Sequence, residues 1–318
     1  MVSFASAAAS NRAGVGYGEM DLKAFEGGTA VITFMVVFYV GYCYTRYNQQ
    51  FDDVERIMHA IINTCMFARI HFVDGEEVHR LWRYLNMLHV AAYTGLTVSY
   101  SEHNFFRPIC EKYQLFSADD QERQAEEHLL HTVSIDGEDT RACAMLQVWV
   151  LELIKNDVLE GAGRTKPSPI FKSLNDEVQK VGDSVKRLFT YQYQVLPFIY
   201  THLVSICCTT YLLFFAFLKG LHFDSEAGYT FGLFMPMLSV MLSTLAIFGL
   251  LEVGDTIGDP FGKDPEDFAV LHFVEVTAVA SLETINVDSV ISRKEREKYS
   301  FYSNKELQAA LAVVTRMV

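Results

Sequence analysis

The sequence has few basic residues relative to its acidic ones. Of 318 residues, 26 are Lys or Arg and 39 are Asp or Glu, which gives a net charge of −13 at pH 7. Proteins that bind nucleic acid neutralise its phosphates with an excess of basic side chains, so this composition argues against a nucleic-acid partner. The six cysteines form no Cys-x-x-Cys pair. We interpret them as reduced, buried apolar residues of a protein whose polar part faces a reducing compartment.

Two long stretches lack formal charge. Residues 196–217 contain one histidine and no charged side chain, and residues 231–251 contain no ionisable side chain. At 1.5 Å per residue, both are long enough to cross a hydrocarbon core about 30 Å thick. A third apolar stretch, residues 29–45, is shorter, and its tyrosines are typical of a membrane interface. We therefore predict an integral, multi-pass membrane protein with spans at about residues 29–46, 196–218 and 231–252.

Outside the spans, the apolar periodicity is helical, which predicts an all-α membrane protein with a large helical cytosolic domain. Basic residues before the second span, among them Lys186 and Arg187, put that domain on the cytoplasmic side. We divide the rest of the chain into a flexible N-terminal segment (residues 1–28), cytosolic helical parts (residues 47–195 and 253–290) and a C-terminal tail with a short helix (residues 291–318).

An acidic segment, Glu252 to Phe268, follows the apolar stretch of residues 231–251 and carries six carboxylates. Pro260 and Gly262 interrupt the helix there. The carbonyls left without helical partners, together with the carboxylates, are hard oxygen donors that suit Ca²⁺ better than a transition metal. The spacing is not that of an EF-hand, and a solvated acidic loop at the end of a membrane helix explains the segment equally well.

The first span carries Ala30, Phe34 and Phe38 at intervals of four residues, which places them on one helix face. Contact with lipid or with another helix accounts for most aromatic pairs in membranes. The functional alternative is a pore constriction, because apolar rings can gate ions by dewetting and the electropositive edge of an aromatic ring tolerates anions.

Two further patterns predict no chemistry. The sequence from Gly161 to Lys166 lacks the spacing and the preceding strand of a phosphate loop. His128 and His131 lie one helix turn apart, as metal ligands can, but such a pair is more typical of a solvated helix face.

Four segments, taken in order, resemble the bestrophin family of anion channels. The sequence Asp-Pro-Phe-Gly-Lys-Asp-Pro-Glu-Asp-Phe at residues 259–268 resembles the family's Asn-Pro-Phe-Gly-Glu-Asp-Asp-Asp-Asp-Phe signature. Residues 196–204 are similar to the opening of the family's third span, and residues 34–49 to its neck helix and the segment after it. Arg83-Tyr84 and the sequence through Pro108 also align. The similarity covers about residues 29–290.

The resemblance implies a homopentamer around one central pore, with chloride as the permeant ion and bicarbonate as a further candidate. Carried over by position, the implied sites are a pore neck (Ala30, Phe34, Phe38), a cytosolic aperture (Pro169 or Ile170) and a calcium-binding clasp (the carbonyls of Thr256 and Asp259, the side chains of Asp264 and Asp267). Lys263 and Pro265 replace two family acids, so calcium affinity is expected to be lower. Arg46, at the end of the neck, is a candidate for attracting anions.

One departure from the family is the number of spans, because the family has four and the first is missing here. This motivates an alternative, a non-conducting or regulatory subunit that assembles with other membrane subunits or belongs to a larger fusion. A membrane enzyme that uses the acidic cluster with Mg²⁺ on a diphosphate is a third hypothesis, but no second acidic motif supports it, and we expect no enzyme. The expected location is the plasma membrane or an organelle membrane such as the thylakoid, with lipid as a partner.

Overall fold

The computed structural model describes residues 2–72, 74–97, 99–133, 140–161, 169–194, 198–221, 230–262 and 265–287. In these ranges the chain is almost entirely helical and contains no strand, which confirms the all-α fold class. The helices are α1 (Val2–His71), α2 (Gly75–Ala91), α3 (Arg107–Lys112), α4 (Asp120–Val133), α5 (Arg141–Lys155), α6 (Pro169–Tyr193), α7 (Phe198–Leu221), α8 (Met235–Gly258) and α9 (Val270–Asn286). Short π-helical segments, Glu102–Phe106, Asn156–Gly161 and Thr230–Phe234, precede α3, follow α5 and precede α8.

Helix α1 begins at Val2, so the segment of residues 1–28, which we predicted to be flexible, is helical from its second residue. The physical reason lies in its composition. Alanine has the highest helix propensity and is frequent there, and the first proline in the chain is Pro108. The predicted tail, residues 291–318, lies outside the described residues.

Three of the described helices are long and apolar enough to cross a membrane: Gly28–His71, Ile199–Gly220 and Gly232–Gly258. They occupy the parts of the chain where the sequence predicts spans. Helix α8 continues past the expected limit at residue 252 and ends at Gly258. It stops there because Pro260 has no N–H to continue the helical hydrogen bonds.

The chain divides into two compact units, residues 1–48 with 195–260 and residues 49–194 with 261 onwards. In the first unit α7 packs against α8. The early part of α1 buries one face, Ile32, Val36, Tyr39 and Cys43, in a cluster with Val204 and Cys208 of α7. This packing fixes which side of α1 is left exposed.

In the second unit α2 packs against α5 and α9, and α5 packs against α6. The indole nitrogen of Trp82 donates a hydrogen bond of 2.9 Å to Ser281 Oγ, which ties α2 to α9. The Arg187 guanidinium makes three hydrogen bonds to the carboxylate of Asp53: Nε lies 2.8 Å from Oδ1 and 3.0 Å from Oδ2, and Nη2 lies 2.5 Å from Oδ1. Asp53 is buried, so this pair joins α6 to α1 inside the unit.

All six cysteines lie among the described residues and carry reduced thiols. Five are buried, and Cys207 is half-buried. This agrees with their interpretation as small apolar residues.

Candidate functional site

The predicted neck residues lie together on an exposed face of α1. The side chain of Phe34 is 62% exposed and that of Phe38 is 57% exposed. Their ring centroids are 4.2 Å apart, and Ala30, one turn earlier, is exposed as well. The structure therefore brings the three residues to one face, the aromatic neck face, as their spacing predicts.

The opposite face of α1 is the one that packs inside the unit. At about 100° per residue, the buried positions Ile32, Val36 and Cys43 point away from the direction of Phe34 and Phe38. Val36 is 2% exposed and Cys43 is fully buried. The helix is thus packed on the side opposite Phe34 and Phe38, and its aromatic neck face remains available for contacts outside the single chain.

Tyr39 lies on the packed side of α1 and contacts two successive residues of α8. Its hydroxyl donates a hydrogen bond to Asp255 Oδ1. A Cβ at Gly254 would lie 2.6 Å from Tyr39 Cε1 and 3.1 Å from Cδ1, so only glycine leaves room for the ring. Tyr39 is 3% exposed, and its ring also meets that of Tyr200, with centroids 6.3 Å apart.

The proposed calcium ligands begin at the end of α8, in the first unit. The N–H that would bond the Thr256 carbonyl in a continuing helix belongs to residue 260, which is proline, so that carbonyl has no helical partner. The Thr256 hydroxyl donates a hydrogen bond of 2.9 Å to the Glu252 carbonyl. The Thr256 carbonyl is a separate group, and its oxygen could coordinate a metal ion. Asp259 is the C-cap of α8, with a non-helical backbone (φ −129°, ψ 83°), and it is exposed.

The remaining clasp residues follow Pro260. Asp267 belongs to the second unit and is half-buried, and Asp264 lies outside the described residues. Among the residues that are described, no three His, Cys, Asp or Glu side chains come together as a metal site. Backbone carbonyls, Asp264 and Asp267 would have to supply the oxygen donors, and oxygen donors are what Ca²⁺ requires.

Two aromatic residues of the acidic segment anchor it in the second unit. Phe261 is fully buried and Phe268 is 6% exposed, and their rings meet edge to face with centroids 5.4 Å apart. Phe51 and Tyr93 contribute further ring contacts. The part of the segment after Pro260 is therefore held by apolar packing.

The other predicted site residues lie elsewhere. Arg46 is 8% exposed and lies on the packed side of α1, so it does not share the aromatic neck face. Pro169 and Ile170 begin α6, where Pro169 is exposed and Ile170 is half-buried. Their roles in anion attraction and as an aperture stay predictions.

Sequence reasoning missed Tyr39, Gly254 and Asp255. A signal was present, because Tyr39 is a polar aromatic residue on the side of α1 away from Phe34 and Phe38. Gly254-Asp255 likewise lies just after the apolar run of residues 231–251. The sequence does not pair them, since 216 residues separate Tyr39 from Asp255.

Comparison with known proteins gives one family. The family model described as "Bestrophin, RFP-TM, chloride channel" matches residues 20–287. Bestrophin homolog 13 of Caenorhabditis elegans is 24% identical over 267 residues, 80% of this chain and 60% of that protein. Bestrophin-1 of Sus scrofa is 23% identical over 282 residues, 84% of this chain and 45% of that protein.

A solved structure has the same fold. The crystal structure of a bacterial bestrophin homologue from Klebsiella pneumoniae matches with a TM-score of 0.67 at 12% identity, over 84% of this chain and 88% of that one. At this identity the likeness bears on the fold alone. The chain spans 60% and 45% of the length of the two curated relatives.

Proposed function

The chain belongs to the bestrophin family, and on that premise we propose that it is an anion channel that conducts chloride, with bicarbonate as a second permeant ion. The observation that carries the proposal is the aromatic neck face of α1. Phe34 and Phe38 are 62% and 57% exposed, and they lie opposite the side by which the helix packs. An aromatic face held in this way can line a narrow apolar passage that dewets to stop ions.

The pore requires several copies of the chain, because one exposed helix face cannot enclose a passage. We propose a homopentamer, the number that the family resemblance implies, with Ala30, Phe34 and Phe38 from each copy forming successive rings. Ring edges facing the axis would favour anions over cations. Pro169 and Ile170 would form the second constriction, on the cytosolic side.

Calcium binding is the regulatory part of the proposal. The carbonyls of Thr256 and Asp259 and the side chains of Asp264 and Asp267 would hold the ion. Two observations support these donors: α8 ends where Pro260 leaves the Thr256 carbonyl without its helical partner, and the donors are all oxygen. A bound calcium ion would supply two positive charges that neutralise the acidic segment and hold its donors in one arrangement.

The surroundings that the proposal requires are a lipid bilayer and further copies of the chain. Three helices that are long and apolar enough to cross a membrane are the observation in favour of a bilayer. The plasma membrane and an organelle membrane such as the thylakoid both meet this requirement, because the argument rests on the hydrocarbon core alone.

The test is chloride flux from proteoliposomes that contain the purified chain, with and without micromolar free Ca²⁺. We expect flux that rises with calcium. Flux that ignores calcium would retain the channel and remove the calcium role. A well-formed pentamer without flux would overturn conduction and favour a non-conducting subunit that works with other membrane partners. The Asp267→Asn variant tests the clasp, since it removes one carboxylate charge at nearly constant size. We expect it to need more calcium than the wild-type chain for the same flux.

A further inference from the structure

One side chain of α1 is held by two neighbouring positions of α8. The ring of Tyr39 occupies the space that a side chain at Gly254 would need, with 2.6 Å between an ideal Cβ and Tyr39 Cε1. The Tyr39 hydroxyl then donates to the carboxylate of Asp255, the next residue. The ring contact and the hydrogen bond together fix both the height and the rotation of α1 against α8.

The hydrogen bond from Tyr39 to Asp255 has a charged acceptor, which makes it stronger than a bond between neutral groups. Its acceptor is a carboxylate, and charge-assisted bonds are roughly twice as strong as neutral ones. Tyr39 is 3% exposed among apolar residues, whereas Asp255 is exposed, so the bond joins a buried hydroxyl to a carboxylate at the surface of the unit.

The contact joins the two segments to which the proposed function assigns roles. Tyr39 directly follows Phe38 of the aromatic neck face. Asp255 directly precedes Thr256, the first proposed calcium ligand. A rotation of the end of α8 by a fraction of a turn would therefore displace Tyr39, the residue next to Phe38.

We propose that Tyr39 and Asp255 are positioning residues of the channel, through which the end of α8 sets the orientation of the aromatic neck face. Gly254 is part of the same contact because its lack of a side chain leaves room for the Tyr39 ring. This inference rests on the proposed function and adds to it the residues that connect the calcium-binding segment with the neck. Neither residue contacts the permeant ion or the calcium ion in this role.

The test compares Tyr39→Phe, Asp255→Asn and the double variant with the wild-type chain in proteoliposomes. Tyr39→Phe removes only the hydroxyl, and Asp255→Asn keeps the size of the side chain. Tyr44→Phe is the matched control, because it removes a hydroxyl from the same helix at a position that is 59% exposed. Pentamer elution on a sizing column confirms that each variant assembles.

Two readouts distinguish positioning from folding. The first is the calcium concentration for half-maximal chloride flux, which we expect Tyr39→Phe to change by about threefold to tenfold, the effect of losing one hydrogen bond. The second is the iodide-to-chloride permeability ratio at saturating calcium, which reports on the neck itself. The double variant is expected to resemble Tyr39→Phe alone, since interacting residues are not additive.

Each outcome bears on a different claim. Wild-type flux that depends on calcium, with Tyr39→Phe indistinguishable from Tyr44→Phe in both readouts, would overturn the inference and leave the channel intact. Effects of the two single variants that multiply independently would overturn it as well. A wild-type chain without flux, or with flux that ignores calcium, would overturn the corresponding part of the proposed function and this inference with it.

Discussion

The ring of Tyr39 lies against Gly254 so closely that a Cβ there would come within 2.6 Å of Tyr39 Cε1. The Gly254→Ala variant must therefore displace the ring or move α8. We expect a loss of about 1–3 kcal/mol of stability, the usual cost of an added methyl group in a packed site. Thermal unfolding of the purified chain in detergent would measure it.

Gly249 provides the control for that experiment. It lies on the same helix, and a Cβ there would meet nothing within 4 Å. Gly249→Ala should leave the melting temperature unchanged or raise it, because alanine is the better helix former. Equal melting temperatures for the two alanine variants would contradict the close contact at Gly254.

The two faces of α1 should respond differently to truncation. Replacing Phe34 and Phe38 together by alanine removes exposed rings, so we expect assembly and melting temperature to be retained and the proposed chloride flux to change. Val36→Ala, on the buried side at 2% exposure, should instead lower stability by about 1–2 kcal/mol through lost packing. Unchanged flux in the double variant would remove the neck assignment.

The ion pair between Asp53 and Arg187 should contribute more to stability than the pair between Lys180 and Glu177 of α6. The Asp53 side chain is 3% exposed while Arg187 is 41% exposed, so Arg187→Ala leaves the buried carboxylate with Arg56 as its remaining ion-pair partner among the described residues. We expect a cost of about 2–3 kcal/mol, below the range for fully buried pairs because Arg187 is partly solvated. Lys180→Ala breaks the pair with Glu177, whose side chains are 51% and 13% exposed, and should cost less, about 1 kcal/mol.

The stability of the chain should decrease in mild acid because two histidines of α2, the buried His89 and the half-buried His79, are held in the neutral form. Burial lowers the pKa of His89 to about 3, and burial together with the Arg83 guanidinium lowers the pKa of His79 to about 4, both from an ordinary value of 6.5. Below pH 6.5 the unfolded chain binds protons that the folded chain excludes. Stability is therefore complete above pH 6.5 and falls between pH 6.5 and about pH 4 to 3, by up to about 1.4 kcal/mol per pH unit for each histidine.

Melting temperatures between pH 7.5 and pH 4.5 would measure this fall. The His79→Gln variant removes one titrating group and should flatten the curve. His128→Gln, at an exposed position of α4, is the control. A curve for His79→Gln that is parallel to the wild-type curve would contradict the assignment.

The sequence predicts those features that depend on local pattern. The apolar runs indicate three membrane helices, and the spacing of Ala30, Phe34 and Phe38 places them on one face. Pro260 predicts the end of α8 because a residue without an N–H cannot continue the helix. The helical backbone of residues 2–28 was not predicted, because the segment lacks apolar periodicity and its helix signal comes from the propensity of alanine alone.

The features that the sequence could not predict depend on contacts between distant residues. The bond from Tyr39 to Asp255 and the pair of Arg187 with Asp53 join residues 216 and 134 positions apart. No local pattern fixes which partner such a side chain finds. The need for glycine at position 254 likewise becomes evident only when the ring that fills the space is known.

The burial of the cysteines makes the chain a suitable background for chemical labelling. Five of the six thiols are buried and the sixth is half-buried, so bulky, water-soluble maleimides would react with them slowly. A cysteine introduced in place of Phe34 would be the most accessible thiol of the protein. Its rate of modification from the aqueous phase would then report when water enters the passage, independently of any ion current.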